Sequence, residues 1–405
     1  MRDSIWPLKD NYKHMKYFQN PVPFFSCIFA LLAFSCQQEK KEDTPSFSLE
    51  IIDSIRVEYA GLLDLMDADP ARKRVLLHDR QRGIILLTDF EGNHVLKLDK
   101  QGDDKGSYGG YLWSPARIKD NDHISLVSHM GFFEFDAEGK LASHRKFQED
   151  VPFFGGRAAA DSELMEHEGI FYQKGLVARG QYNKTQDEYY DQFQLLVKFD
   201  PEKGSAERII HLEEESPFRT SGKAFEIPEM SPSFTILEDK LLVIAGTDPH
   251  LNVYDIKAPH RLLERKPIAY PDYNAGQGIE RTRADPKSIA YDESAGRTHT
   301  LKVYKDYLLS SFSPGYDFAD RERYLTIDNR EDYSAFREAI ADKYPPALFL
   351  MDHQGEGIQK LSLPESLDHR QFLVRDGYLW WLSRFNSEVE EDFVKIYKVE
   401  ITEME

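Results

Sequence analysis

One turn recurs along this chain and limits what it can fold into. A β-patterned run ends at an aspartate, and a glycine follows three or four residues later. It reads Leu86-Leu87-Thr88-Asp89-Phe90-Glu91-Gly92, then Phe133-Glu134-Phe135-Asp136-Ala137-Glu138-Gly139. It returns as Val197-Lys198-Phe199-Asp200-Pro201-Glu202-Lys203-Gly204 and Phe349-Leu350-Met351-Asp352-His353-Gln354-Gly355, with a weaker copy at Val253-Tyr254-Asp255 that lacks the glycine. The aspartate side chain caps its own turn, and the glycine takes the positive φ that a tight hairpin demands. A hairpin repeated at this spacing is the mark of a repeat architecture.

Between these turns the β-patterned runs group in fours, here lettered A to D within each unit. Unit one has Leu62–Met66, Arg74–Asp79, Gly83–Thr88 and His94–Leu98; unit two has Ala116–Lys119, His123–Ser128, Gly131–Phe135 and Ser143–Phe147. Unit three has Ala158–Met165, Gly169–Val177, Phe193–Phe199 and Glu207–Leu212; unit four has Ser233–Leu237, Lys240–Ala245, Leu251–Tyr254 and Leu262–Ile268. Unit five has Thr298–Tyr304, Tyr307–Phe312, Ala347–Met351 and Ile358–Leu363. Unit six has only Gln371–Val374, Tyr378–Ser383 and Phe393–Val399 before the chain ends. A spare strand, Phe47–Val57, precedes unit one. A radial array must close its last blade against its first or leave open edges. The deficit and the surplus together predict an all-β, six-bladed β-propeller over residues 47–405, with the N-terminal strand completing the last blade. A degenerate blade between units four and five would make seven.

The first 35 residues read as a targeting segment. Lys13 and Lys16 precede the apolar run Phe24–Phe34, which is too short to span a bilayer and suits a signal-peptide core; Met15 is the alternative start. Ala33-Phe34-Ser35-Cys36 then matches a bacterial lipobox except for Ala33, where leucine is usual. Residues 36–46, polar throughout most of their length, read as a tether. Cys27 falls within the discarded run, so Cys36 is left without an internal partner and is the expected lipidation site. The prediction is a monomer held to the membrane through Cys36, in the outer membrane or periplasm.

The formal charge of the 405-residue chain is −19, and cleavage before Cys36 removes four basic and two acidic groups to leave −21. Such a surface repels phosphate backbones, so no nucleic-acid partner is expected. No HExxH, Walker A, GxSxG, CxxC or EF-hand loop is present. Asp120-Asn121-Asp122 and Glu166-His167-Glu168 occupy tight A–B turns, and Gly276-Gln277-Gly278 is a lone glycine pair. No metal, cofactor or catalytic residue is assigned.

Loop length separates the two faces of the predicted ring. The A–B and C–D connections are short, whereas the long ones, Asp99–Pro115, Ala178–Gln192, Glu213–Pro232, Ala269–Arg297 and Ser313–Pro346, are all of the D–A or B–C class. D–A and B–C loops share a face, and binding residues concentrate on such loops over a rigid scaffold. In the longest, Tyr333, Phe336 and Ile340 fall on one side of a short helix suited to pack as a lid. At or near this face the sequence places Arg117, His129, Arg157, Arg179, Asp248, His250, Arg297, Tyr316 and Arg384. Guanidinium groups converging on a channel mouth would clamp a carboxylate or sulfate. Tyr182, Tyr189, Tyr190, Tyr273, Trp113 and Trp381 add aromatic surface or inter-blade packing. Asp248, His250 and His129 are the set that an enzyme would use, if they meet in space.

The Cys36 boundary followed by Asp-turn blades at Asp89, Asp136, Asp200 and Asp352 resembles the six-bladed β-propeller lipoproteins of Bacteroidetes, of the TolB-like or NHL-like class. The resemblance covers the whole mature chain, is architectural, and carries over no catalytic residue. Two functional classes follow. One is a non-enzymatic envelope module binding a protein, peptide or glycan on the long-loop face; the other is a propeller lyase or hydrolase acting at the channel mouth.

Overall fold

The computed structural model describes residues 46–148, 157–175, 182–288, 291–385 and 391–404. The leader at 1–35, the tether through residue 45 with Cys36, and Arg179 lie outside them. Six four-stranded antiparallel sheets account for the predicted units in order. In blade one the strands are Leu63–Asp69, Arg74–Asp79, Ile84–Asp89 and His94–Asp99. Blade six takes Leu367–Arg375, Tyr378–Ser383 and Phe393–Met404 from the C-terminus, and its outer strand is Ser46–Glu58 from the N-terminus. That strand pairs antiparallel with Phe393–Met404, from Ser46 opposite Met404 to Glu58 opposite Phe393, with one bulge between Ile51 and Asp53. The ring is therefore closed with six blades, and no seventh lies between blades four and five. Among its described residues that interval carries only the two-residue strand Ile279–Glu280, which pairs with Lys223–Ala224 from the loop between blades three and four.

Both faces of each inner strand are buried, which explains runs such as Ile84-Ile85-Leu86-Leu87 where a one-sided sheet would alternate. Leu86 and Val75 pack toward Trp380 and Leu382 of blade six, while Ile85, Leu87 and Leu76 pack toward Leu126 and Phe133 of blade two. Similar apolar clusters fill the remaining inter-blade seams, with Phe372 stacked on Trp381 at 4.4 Å in blade six. Stability is thus distributed around the ring, each blade filling the gap beside its neighbour.

The Asp turns form as the sequence dictates. Asp136 Oδ1 accepts from the Lys140 amide at 2.8 Å, and Gly139 sits at φ +73. Asp352 Oδ1 accepts from the Gln354 and Glu356 amides at 2.9 Å each. Where the glycine is missing after Asp255, His260 takes the positive φ of 57°. In the long insert of blade five, Phe318–Leu325 and Arg330–Ile340 are helices, capped by Asp317 and Asn329 respectively. Phe336 and Ile340 are buried beneath the second, as its spacing predicts.

Candidate functional site

The A strands line the axis of the ring, and their charged side chains divide into two levels. Toward the short-turn end, Arg375 donates to Glu163 Oε1 at 2.8 Å and to Asp67 Oδ1 at 2.7 Å. Lys302 joins Glu163 from blade five and also donates to the Ala160 carbonyl. Burial alone would raise the Glu163 carboxyl, but Lys302 and Arg375 hold it down to about 2. Burial would likewise lower Arg375, and Glu163 and Asp67 outweigh that to raise it. Blades one, three, five and six are tied across the channel by this balanced network. Arg157 adds a further tie: it is bidentate to Asp64 of blade one, which also accepts from Gln371 at 3.2 Å.

Toward the long-loop face the ion pairing is incomplete. Lys174, Arg297 and Arg370 line a cavity of about 480 Å³, with Ile227, Pro232 and Tyr291 among its other walls. Among the described residues none of these three cations has a carboxylate within ion-pair distance. Arg297 lies 4.8 Å over the Tyr291 ring and its buried Nε has no hydrogen-bond partner. Arg370 Nε donates to His369 Nε2 at 3.1 Å, leaving its terminal nitrogens for other partners. A second cavity of about 760 Å³ adjoins the first and shares Tyr291, Arg297, His299 and Arg370 with it. Its far wall carries Tyr316, Tyr344, Arg337 and Arg384, so the helix Arg330–Ile340 roofs a site as well as packing.

Two imidazoles stand among the cations. The His299 and His369 rings are 4.8 Å apart, and His299 Nε2 lies 2.8 Å from Ser313 Oγ. Burial and the charge of Arg370 push His369 down to about 4. Burial, with Arg370, His369, Arg297 and Lys174, pushes His299 well below its usual value. Burial also lowers the Lys174 ammonium, only partly offset by Asp161. The junction of the two cavities thus holds Arg297 and Arg370 beside two neutral imidazoles, while carboxylates stand in the surrounding walls, Asp161 and Glu226 in the smaller cavity and Glu293, Asp342, Glu365 and Asp368 in the larger. Among the described residues no three His, Cys, Asp or Glu side chains are grouped as metal ligands.

Of the residues singled out in the sequence, Arg297, Tyr316 and Arg384 line the larger cavity, and Arg157 and Arg297 line the smaller one. Arg117 does not join them: the strand Arg117–Ile118 runs straight into the A–B turn, where Arg117 pairs with Glu166 of blade three at 2.8 Å. His129 stacks on Tyr111 at 4.5 Å at the edge of blade two. Asp248 and His250 do meet, Oδ1 to Nδ1 at 2.5 Å, but Asp248 also takes Arg265 at 2.9 Å and Ser216 at 3.3 Å within its own blade and the loop before it. Neither His129 nor this pair lines a cavity described here. Tyr189, Tyr190, Trp113 and Trp381 pack between blades. Lys174, His299, His369 and Arg370, which sequence reading passed over, are the core of the site.

No family model matches the chain, and no curated protein matches it. Among solved structures the ring is similar to a member of the DUF4221 family from Bacteroides vulgatus. The two share 10% identity over 89% of this chain and 100% of that one, with a TM-score of 0.57. A gluconolactonase from Xanthomonas campestris shares 10% identity over 88% and 95% of the two chains, with a TM-score of 0.42. A candidate exported protein of Bacteroides fragilis shares 13% over the same proportions, also at 0.42. At such identities the likeness to the DUF4221 protein bears on the fold alone, a propeller of six blades. Among the described residues no helix is long and apolar enough to cross a membrane.

Proposed function

We propose that this chain is a cell-envelope lipoprotein, anchored through Cys36, whose propeller binds an anionic ligand at the long-loop mouth of its channel. The observation that carries this reading is the group Lys174, Arg297 and Arg370, which lines one cavity and has no carboxylate within ion-pair distance among the described residues, in a chain of net charge −19. The neighbouring cations Arg157, Lys302 and Arg375 are by contrast neutralised by Asp64, Glu163 and Asp67. An uncompensated cluster costs self-repulsion and desolvation, and a bound carboxylate or sulfate would relieve both through charge-assisted hydrogen bonds. Arg384 lines the second cavity, whose volume of about 760 Å³ leaves room for a ligand larger than a single anionic group. Isothermal calorimetry with an oligogalacturonate, a sulfated heparin disaccharide and a glutamate-rich peptide, against neutral counterparts, tests the reading. Arg297→Gln with Arg370→Gln should weaken the best of these by about ten- to a hundredfold at unchanged melting temperature. Equal binding of charged and neutral probes, or none by either, would end it.

A further inference from the structure

We infer that the ligand is a uronate-containing oligosaccharide and that the mouth cleaves it by β-elimination, with His299 as the base and Tyr291 as the proton donor. The inference rests on the anion-binding reading above. Removing the proton beside a carboxylate is difficult because the charge that develops is delocalised onto a group already negative. Three provisions overcome this: cations that neutralise the carboxylate, a base beside them that is uncharged, and an acid for the departing oxygen. All three meet at the junction of the two cavities, which Tyr291, Arg297, His299 and Arg370 share.

Among the described residues Arg297 and Arg370 have no ion-pair partner at that junction, and each is a planar fork matched to a carboxylate. His299 lies among them, and burial first, with the nearby cations second, keeps the ring uncharged. A bound carboxylate would offset the cationic part of that effect and make His299 a better proton acceptor in the presence of substrate. Tyr291 lies under the Arg297 guanidinium at 4.8 Å, which places a phenol beside the same bound group. The site has room on both sides of the junction for sugar residues flanking the scissile bond, and Tyr316 and Tyr344 offer ring faces in the larger cavity.

The step balances without a co-reactant. His299 takes the proton from the carbon next to the carboxylate, and that electron pair forms a double bond to the adjacent ring carbon. The bond from that carbon to the glycosidic oxygen breaks, its electron pair leaving on the oxygen, which takes the Tyr291 proton. Solvent then returns a proton to Tyr291 and removes one from His299. One chain becomes two, one of them ending in a conjugated unsaturated uronate, and no water is consumed.

The test uses the mature protein with oligogalacturonate and unsulfated chondroitin oligosaccharides, read by the ultraviolet absorbance of the conjugated product and by calorimetry. Product should form from at least one of the two. His299→Asn and Tyr291→Phe should each slow it by roughly a hundredfold or more while affinity changes by less than about tenfold. Uronate binding without product overturns the elimination and leaves anion binding standing. Binding of the glutamate-rich peptide but of neither uronate overturns the sugar assignment alone. Product formation at the wild-type rate by both variants overturns the roles given to His299 and Tyr291. Absence of binding by every anionic probe removes this inference together with the reading beneath it.

Discussion

Replacing Glu229 with glutamine should change how stability depends on pH, by an amount the structure sets. Glu229 closes the first turn of the short helix Ile227–Met230, accepting from the Glu226 amide at 2.8 Å, and is 2% exposed. Its other oxygen is buried without a partner. Burial, reinforced by Asp292 and only partly relieved by Arg297, raises the carboxyl from 4.5 to about 7. The folded protein therefore keeps this proton at pH values where the unfolded chain has released it. The stabilisation is fully present below 4.5 and is lost as pH rises through about 7. At about 1.4 kcal/mol per pH unit, that interval amounts to roughly 3 kcal/mol. Glutamine keeps the acceptor for the Glu226 amide and cannot ionise. Denaturant unfolding of both proteins across this range, compared at each pH, cancels the other titrating groups. Glu229→Gln should gain about 3 kcal/mol relative to wild type between the acid and alkaline ends. A difference that stays constant with pH would refute the raised carboxyl and the dry surroundings that cause it.

Truncating Ser46–Glu58 removes the outer strand of blade six and the buried Phe47, Ile55 and Val57. At about 1.5–3 kcal/mol for each such side chain, the loss should abolish cooperative melting; a wild-type melting temperature would contradict the closure. Glu163→Gln leaves Lys302 and Arg375 without their shared carboxylate and should cost about 3–5 kcal/mol by denaturant titration. Because the folded Glu163 carboxyl is depressed, its contribution is present above 4.5 and lost as pH falls through about 2, so the variant should show a shallower acid limb. Mass spectrometry of membrane-extracted protein should find an acyl adduct on Cys36, and Cys36→Ser should release the protein in soluble form; an intact leader would count against both.

The blades were legible because burial on two sides writes itself into sequence as unbroken apolar runs, such as Leu241-Leu242-Val243-Ile244, between turns with fixed chemistry. Closure was legible as a strand missing at one end and present at the other. The site was legible only in part, since strand order specifies a face but not a distance from the axis. His129 and the Asp248–His250 pair follow B strands and do lie on the long-loop side, yet at a radius outside the channel. A four-residue strand would put Arg117 at the mouth; the actual strand of two places it at the opposite end. His299 stands two residues beyond Arg297 on one strand, and a period of two would have found it. A bulge between Thr298 and Thr300 resets the phase there, so that Lys302 also reaches the channel. Pairing is likewise interrupted between Leu367 and Phe372, the stretch that holds His369 and Arg370.

The clasp also decides where the ring can come apart. Ser46 lies opposite Met404, at the corner of blade six that the short C–D turns occupy in every other blade. Blades one to five are each continuous in sequence, whereas the sixth joins a strand from one end of the ring domain to three from the other. The ring cannot open at that seam without unzipping Ser46–Glu58 from Phe393–Met404 along its whole length. The two ends of the propeller are held by one set of hydrogen bonds, so they are released together or not at all.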